Sequence, residues 1–323
     1  MTNLIIETLG CPNCGAPYEK ESKSCQYCGS ILIVTDLSLN LSVGLDASQA
    51  SKSLEKWRKK INENPEDAEA QFALGLSYLN LKLEDQAATH FLKATQLRPE
   101  AADAHYNLAI TLFKPDTKID SSEWARIMNE IDMAVKLAPA FKEAGGYKHF
   151  FLARKFDNVD EKLALEEYKK AIDVCPNIPL FQSNISATFS NLKDYKNAEL
   201  HARKALNLTN QIPDAWKNLL VSQIKLKNYK EAIEVGENSI KAIPFAGNEK
   251  RISGLYVQLA YAYFLNKEKK KSLETLKKAQ SFDAKGVNAE ATYKSWDKSR
   301  GKVWLIILII AVIIGIIVCN IPR

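Results

Sequence analysis

A chain of 323 residues with 46% apolar and 25% charged residues has the make-up of a globular protein with two or three ordered regions. Its formal net charge of +6 is spread over that length and does not by itself point to nucleic acid. Six cysteines are present, four of them in two close pairs, which is metal spacing rather than the disulfide framework of a secreted chain.

Those pairs come first in the chain. The opening residues, Met1 to Glu7, carry no basic run and no long apolar run, so no secretory signal is expected. Cys11 and Cys14 make one C-x2-C pair, Cys25 and Cys28 another, and Gly15 and Gly29 follow them. The glycine lets the backbone curl so that amide N–H groups face the thiolates. Four thiolates on two such turns suit tetrahedral Zn2+, in a closed site that is structural rather than catalytic. Residues 1–35 resemble a short zinc ribbon. One knuckle also looks like that of a rubredoxin, an iron protein, but only ten residues separate the pairs, too few for that core. In so small a module metal binding supplies most of the folding free energy, on the order of 10 kcal/mol. Lys20 and Lys23 stand against Glu7, Glu19 and Glu21, a balance that argues against a nucleic-acid reader.

Ile31 to Val34 reads as a strand closing the ribbon. A linker over 36–47 alternates apolar and polar residues, as a strand or an extended segment does. Residues 48–64 form a single helix, with Leu54, Trp57 and Ile61 on one face, which serves as a half-hairpin against the next helix pair.

The stretch from Ala68 to Pro99 carries Gly75-x2-Tyr78, Ala87-x3-Phe91, Ala94 and Pro99. Gly75 and Ala87 are small where two helices must approach closely. Leu74, Tyr78, Phe91 and Leu97 fill the space around them, and Pro99 ends the second helix. This order resembles the tetratricopeptide repeat, a 34-residue helix–turn–helix unit. The pattern recurs over 65–284, giving about six repeats. The second has a lengthened turn near Lys114. In the third, Gly145-Gly146 is expected to break the first helix. The fourth, Pro179 to Ile212, and the fifth, Pro213 to Ala246, are regular, and the sixth spans roughly Ser253 to Ala284. The expected fold class is therefore all-α, a tetratricopeptide superhelix, with a small zinc ribbon before it and one transmembrane helix after it.

The resemblance implies that the first helix of each hairpin lines a concave, peptide-binding groove. The positions that face it in relatives are occupied in the first repeat by Phe72, Leu76, Leu79 and Asn80. The second repeat gives Tyr106, Asn107 and Ile110, and the fourth gives Asn184 and Asn191. The fifth gives Lys217, Asn218 and Lys225, and the sixth Gln258, Tyr261 and Phe264. Asn107, Asn184 and Asn218 share the repeat position whose amide often holds an extended ligand backbone in relatives. The Lys-and-Asn clamp for acidic chaperone tails is absent, since Phe72 and Leu76 stand in its place. The stretch from Ile31 to Leu45 is itself a candidate occupant near Phe72 and Tyr106.

His90, His105, His149 and His201 fall at unrelated repeat positions, and no nucleophile–base pattern or phosphate loop is present, so no enzyme is expected. Residues 285–302 read as a basic juxtamembrane segment, with Lys294, Lys298, Arg300 and Lys302. Residues 303–320 contain seventeen uncharged residues in a row, Val303 to Cys319, and read as a membrane span. By the positive-inside rule, the expectation is a single-pass, tail-anchored membrane protein whose N-terminal bulk is cytoplasmic. The lysines of 267–271, with Lys277 and Lys278, are candidates for contact with anionic lipid. The functional expectation is a membrane-tethered adaptor or scaffold binding a protein or peptide partner. The alternatives are a ribbon-based metal-sensing or nucleic-acid-linked regulator, and an assembly factor of a membrane complex.

Overall fold

In a computed structural model of the chain, residues 47–114, 117–119, 121–244 and 248–298 are described, the side chains from residue 54 onward. They divide into two compact units. The first holds α1 (Ala47–Glu63), α2 (Ala68–Asn80), α3 (Glu84–Leu97), α4 (Ala102–Leu112), α5 (Ser122–Leu137), α6 (Lys142–Phe156), α7 (Glu161–Val174) and α8 (Pro179–Asn191). The second holds most of α9 (Tyr195–Leu208), then α10 (Pro213–Lys225), α11 (Tyr229–Ala242), α12 (Glu249–Leu265) and α13 (Lys269–Phe282). Residues 289–298 are helical as well. Among the described residues the fold is all-α. In the first unit α2 packs on α3, α4 on α5 and α6 on α7; in the second, α10 packs on α11 and α12 on α13.

Several helices start for a local reason. Asp67 Oδ1 accepts from the Ala70 N–H at 2.9 Å, and Ser121 Oγ accepts from the Trp124 N–H at 3.1 Å. Asp160 Oδ1 takes the N–H groups of Lys162 and Leu163. α8 and α10 begin instead at Pro179 and Pro213, whose fixed φ suits a first helical residue and whose missing N–H costs nothing there. The hairpin turns also repeat. Lys82, Lys193, Lys227 and Lys267 sit in the left-handed region, at φ 60°, 63°, 66° and 69°. The next residue's N–H then reaches back five residues, as from Leu83 to the Tyr78 carbonyl and from Asn228 to that of Gln223. This is the closure that satisfies the orphan carbonyls at a helix C-terminus.

A second recurrent bond marks the start of four of the repeats, at α2, α4, α8 and α10. Gln71 Nε2 donates to the Pro65 carbonyl at 3.1 Å, His105 Nε2 to Pro99 at 2.9 Å, and Gln182 Nε2 to Pro176 at 3.1 Å. Trp216 Nε1 does the same to Asn210 at 2.7 Å. Side chains of three chemistries thus supply one N–H to the carbonyl six residues upstream, across the turn between hairpins.

The close contacts lie where small residues stand. A Cβ on Gly75 would sit 2.6 Å from Phe91 Cε1, and one on Gly236 would sit 2.8 Å from Leu259 Cδ1. Phe91, Ala87 and Ala94 are fully buried. In the first unit a run of rings makes the middle of the core: Tyr106 lies 4.8 Å from Phe141, Tyr147 4.9 Å from Phe181, and Phe150 stacks on Phe181 at 5.3 Å between centroids. In the second, Leu219, Leu220, Ile224 and Val235 pack with Ala202, Ala232 and Ala262.

Several sequence-based expectations need correction. α6 runs unbroken through Gly145 and Gly146. Gly146 serves packing, because a Cβ there would lie 3.0 Å from Cys175 Sγ and 3.2 Å from Phe181. Within the supposed juxtamembrane segment, residues 289–298 are a helix whose Tyr293 and Trp296 pack on α12. The placement as a single-pass membrane protein is also corrected. Among the described residues no helix is long and apolar enough to cross a membrane. The stretch on which that expectation rests, 303–320, lies outside them, as do the ribbon and the linker, residues 1–46. The lysine run gives no support to a lipid contact: Lys271 pairs with Glu268 at 2.7 Å and Lys269 approaches Asp297 at 3.8 Å.

Candidate peptide-binding face

The residues expected to line the groove divide between the two units. α2, α4 and α8 carry theirs in the first, and α10 and α12 carry theirs in the second.

On α2, Phe72, Leu76 and Leu79 are buried, and Phe72 lies against Phe91 at 5.6 Å between centroids. On α4, Tyr106, Asn107 and Ile110 are buried, and Tyr106 is packed by Phe141 and Tyr147. The asparagines share one orientation. Asn80 Nδ2 donates to the Leu76 carbonyl at 2.9 Å, Asn107 Nδ2 to Asp103 at 2.8 Å, and Asn184 Nδ2 to Leu180 at 2.8 Å. In each case the NH2 group is committed to the carbonyl one turn earlier in the same helix. Asn107 Oδ1 is buried with no hydrogen-bond partner, and so is Thr111 Oγ1, one turn further along the same face. A buried acceptor in that state costs about 1–3 kcal/mol unless a donor reaches it. Asn191 does not join this set: it is exposed and donates to Glu161 Oε1 at 2.7 Å.

In the second unit Lys217 and Lys225 are exposed on α10, and Asn218 and Gln258 are half-buried. Tyr261 and Phe264 are committed elsewhere. Trp296 lies 4.9 Å from the Tyr261 ring and 5.7 Å from that of Phe264, and Tyr293 meets Phe264 edge-on at 5.6 Å. The helix over 289–298 therefore covers the end of α12 on which two groove residues were expected.

Sequence patterning missed three features near this face. Thr111 was detectable from its i, i+4 spacing to Asn107. The pair of His105 and Glu130 was not, because its partners are 25 residues apart, on different helices. His105 Nδ1 lies 2.6 Å from Glu130 Oε2 while Nε2 meets the Pro99 carbonyl, two acceptors that suit a ring carrying both protons. Burial opposes that charge, yet the Glu130 carboxylate and the Pro99 carbonyl hold the His105 pKa above its ordinary value, with Asp103 adding to the pull. His90, stacked on Tyr78, is shifted the other way, by burial and then by Arg58. Arg58 Nη2 donates to the Tyr78 hydroxyl at 2.7 Å, which ties α1 to α2.

Among the described residues no group of three or more His, Cys, Asp or Glu side chains can hold a metal ion. Cys11, Cys14, Cys25 and Cys28 lie outside those residues. Their donor set, four sulfurs on two C-x2-C-G turns, fits Zn2+.

Helices joined by left-handed turns, with small residues at the crossing and, at four of the inter-hairpin turns, a side-chain N–H closing the turn, make a helical-repeat fold similar to that of tetratricopeptide repeats. Comparison with known families agrees: the tetratricopeptide repeat matches residues 68–101 and 253–285, and a zinc-ribbon domain matches residues 11–32. Among curated proteins, the Saccharomyces cerevisiae (strain ATCC 204508 / S288c) anaphase-promoting complex subunit CDC16 is 21% identical over 234 residues, covering 72% of this chain and 26% of the relative. The Mycosarcoma maydis small glutamine-rich tetratricopeptide repeat-containing protein 2 is 30% identical over 96 residues, covering 30% of this chain and 27% of the relative. The chain thus spans about a quarter of the length of these relatives. Among solved structures, the APC/C hetero-tetramer Cut9–Hcn1 superposes with a TM-score of 0.59 at 19% identity, over 80% of this chain and 49% of that one. At that identity the likeness speaks to the fold.

Proposed function

We propose that this protein is an interaction scaffold whose first-helix faces seat an extended segment of a partner polypeptide. The observation that carries the reading is the shared orientation of Asn80, Asn107 and Asn184, each with its NH2 group tied back to its own helix. An amide whose NH2 group is tied back in this way offers its oxygen as the acceptor that the N–H groups of an extended chain require. The apolar side chains of Phe72, Leu76 and Ile110 beside it suit alternate side chains of such a segment. The mechanism is binding without chemistry. Cys11, Cys14, Cys25 and Cys28 hold Zn2+ in this reading, in a closed site that gives residues 1–35 their shape.

Peptides selected from a display library on the full chain test the seat. Asn107→Ala with Asn184→Ala is expected to weaken the selected peptides tenfold or more while leaving the far-ultraviolet helical signal unchanged. Equal affinity in the variant overturns the reading. If Cys25→Ser with Cys28→Ser abolishes the same binding while the helical signal stays, the ribbon is the reader instead.

A further inference from the structure

The hairpins α10–α11 and α12–α13 turn at the same end of the second unit, because α11 packs on both α10 and α12 and α10 packs on α12 as well. Both turns are lined with lysine. Lys225, Lys227 and Lys230 stand at the first and Lys267 and Lys270 at the second, all exposed and without an ion pair among the described residues. The acids in the same turns are already engaged. Glu231 accepts from Arg203, and Glu268 accepts from Asn266 at 2.8 Å and from Lys271 at 2.7 Å. The helix over 289–298 reaches this end too, where Asp297 lies 3.8 Å from Lys269.

Folding does not call for this arrangement. A helix N-terminus favours acidic side chains and disfavours cations. The first unit keeps to that rule: α3 opens with Glu84 and Asp85, α5 with Glu123 behind the Ser121 cap, and α7 with Glu161 behind the Asp160 cap. α13 opens instead with Lys269, Lys270 and Lys271, and has neither an acid in its first turn nor a side-chain cap. α11 also lacks a side-chain cap, and the acid in its first turn, Glu231, is held by Arg203. Neighbouring helices pack with axes about 8–10 Å apart, close to the Debye length of about 8 Å at physiological salt, so lysines on adjacent turns repel one another. The uncapped N–H groups and the free ammonium groups both favour a negative charge brought from outside.

Carboxylates fit this surface better than phosphates. Residues 225–230 and 266–271 hold no arginine, whose fork suits phosphate, and their single ring, Tyr229, is half-buried rather than presented for base stacking. We propose that the hairpin-turn edge of the second unit, around Lys230 and Lys270, docks a segment of a partner polypeptide rich in Asp and Glu. This edge shares no residue with the seat formed by Asn80, Asn107 and Asn184, and it stands whether or not that seat binds.

A fluorescent decaglutamate peptide, titrated into the full chain at physiological salt, tests the proposal. Two variants with the same change of charge are compared: Lys230→Glu with Lys270→Glu at the edge, and Lys277→Glu with Lys278→Glu near the other end of α13. Glutamate in a first helical turn suits the dipole, so the edge variant keeps its fold, as its helical signal checks. The edge variant is expected to bind at least tenfold more weakly than the natural chain, and the control variant less than threefold more weakly. A smaller loss at the edge, an equal loss in the control, or no binding by the natural chain overturns the proposal. So does loss of decaglutamate binding in Asn107→Ala with Asn184→Ala, which moves the acidic probe to the seat. Tighter binding of oligothymidylate or of phosphatidylserine vesicles, with the same dependence on Lys230 and Lys270, assigns the edge to nucleic acid or lipid and overturns it as well. Self-association in sedimentation that the edge variant abolishes assigns it to a second copy, with the same result.

Discussion

At the scale of single residues, the fourth position of α2, α4, α8 and α10 shows what the fold demands. Glutamine, histidine and tryptophan all stand there because each offers one N–H to the same upstream carbonyl. His105 adds a charge to that duty. Its pKa lies above the ordinary 6.5, so its pairing with Glu130 contributes stability that is fully present below about pH 6.5 and is lost as the pH rises through the raised value. His105→Gln keeps the bond to Pro99, as Gln71 and Gln182 do, and gives up the charged pair. Chemical denaturation is expected to show a loss of about 2 kcal/mol near pH 6, shrinking as the pH rises. A pH-independent difference refutes the charged pairing. Gly75 is the other sharp constraint. Gly75→Ala brings a methyl group to 2.6 Å from Phe91 and is expected to destabilise the chain by about 1–3 kcal/mol, in spite of alanine's better helix propensity, as a lower denaturation midpoint shows.

Helices and turns were legible from residue spacing because the pattern at Gly75, Tyr78, Ala87, Phe91 and Pro99 encodes a close crossing and a stop, both local in sequence. What escaped was tertiary. Gly145-Gly146 looked like a break, since glycine's helical cost is local while its packing against Cys175 and Phe181 is not. The aromatic pair Tyr293 and Trp296 had no visible partner until α12 was in place. Of the expected groove residues, Asn107 lies on α4 and Asn184 on α8, each the first helix of its hairpin. Spacing did not show that Asn191 is taken by Glu161, or that Phe264 is covered by Trp296. The turns leave room for stabilisation. Lys193 and Lys227 carry the left-handed penalty of a side chain, which glycine escapes. Lys193→Gly and Lys227→Gly are each expected to stabilise the chain by roughly 0.5–1 kcal/mol, the relief of strain being partly offset by a more flexible unfolded state. A lowered melting temperature in both variants counts against that account.

For the whole molecule, the ribbon and the repeats draw, in the proposed reading, on separate sources of stability, metal coordination for residues 1–35 and apolar burial for the repeats. Cys25→Ser with Cys28→Ser is expected to remove about one equivalent of zinc, measured by metal analysis, while helical content and the main thermal transition stay as they were. Collapse of the helical signal in that variant refutes the division.

The ring contacts of Tyr293 and Trp296 with Tyr261 and Phe264 have a further consequence. A bare terminal hairpin presents to its surroundings the same apolar surface that the next hairpin would have covered, and copies of such a chain tend to join head to tail. Here the rings of Tyr261 and Phe264 on α12 are already covered by the chain's own Tyr293 and Trp296, which leaves less apolar surface at this end for a second copy to join.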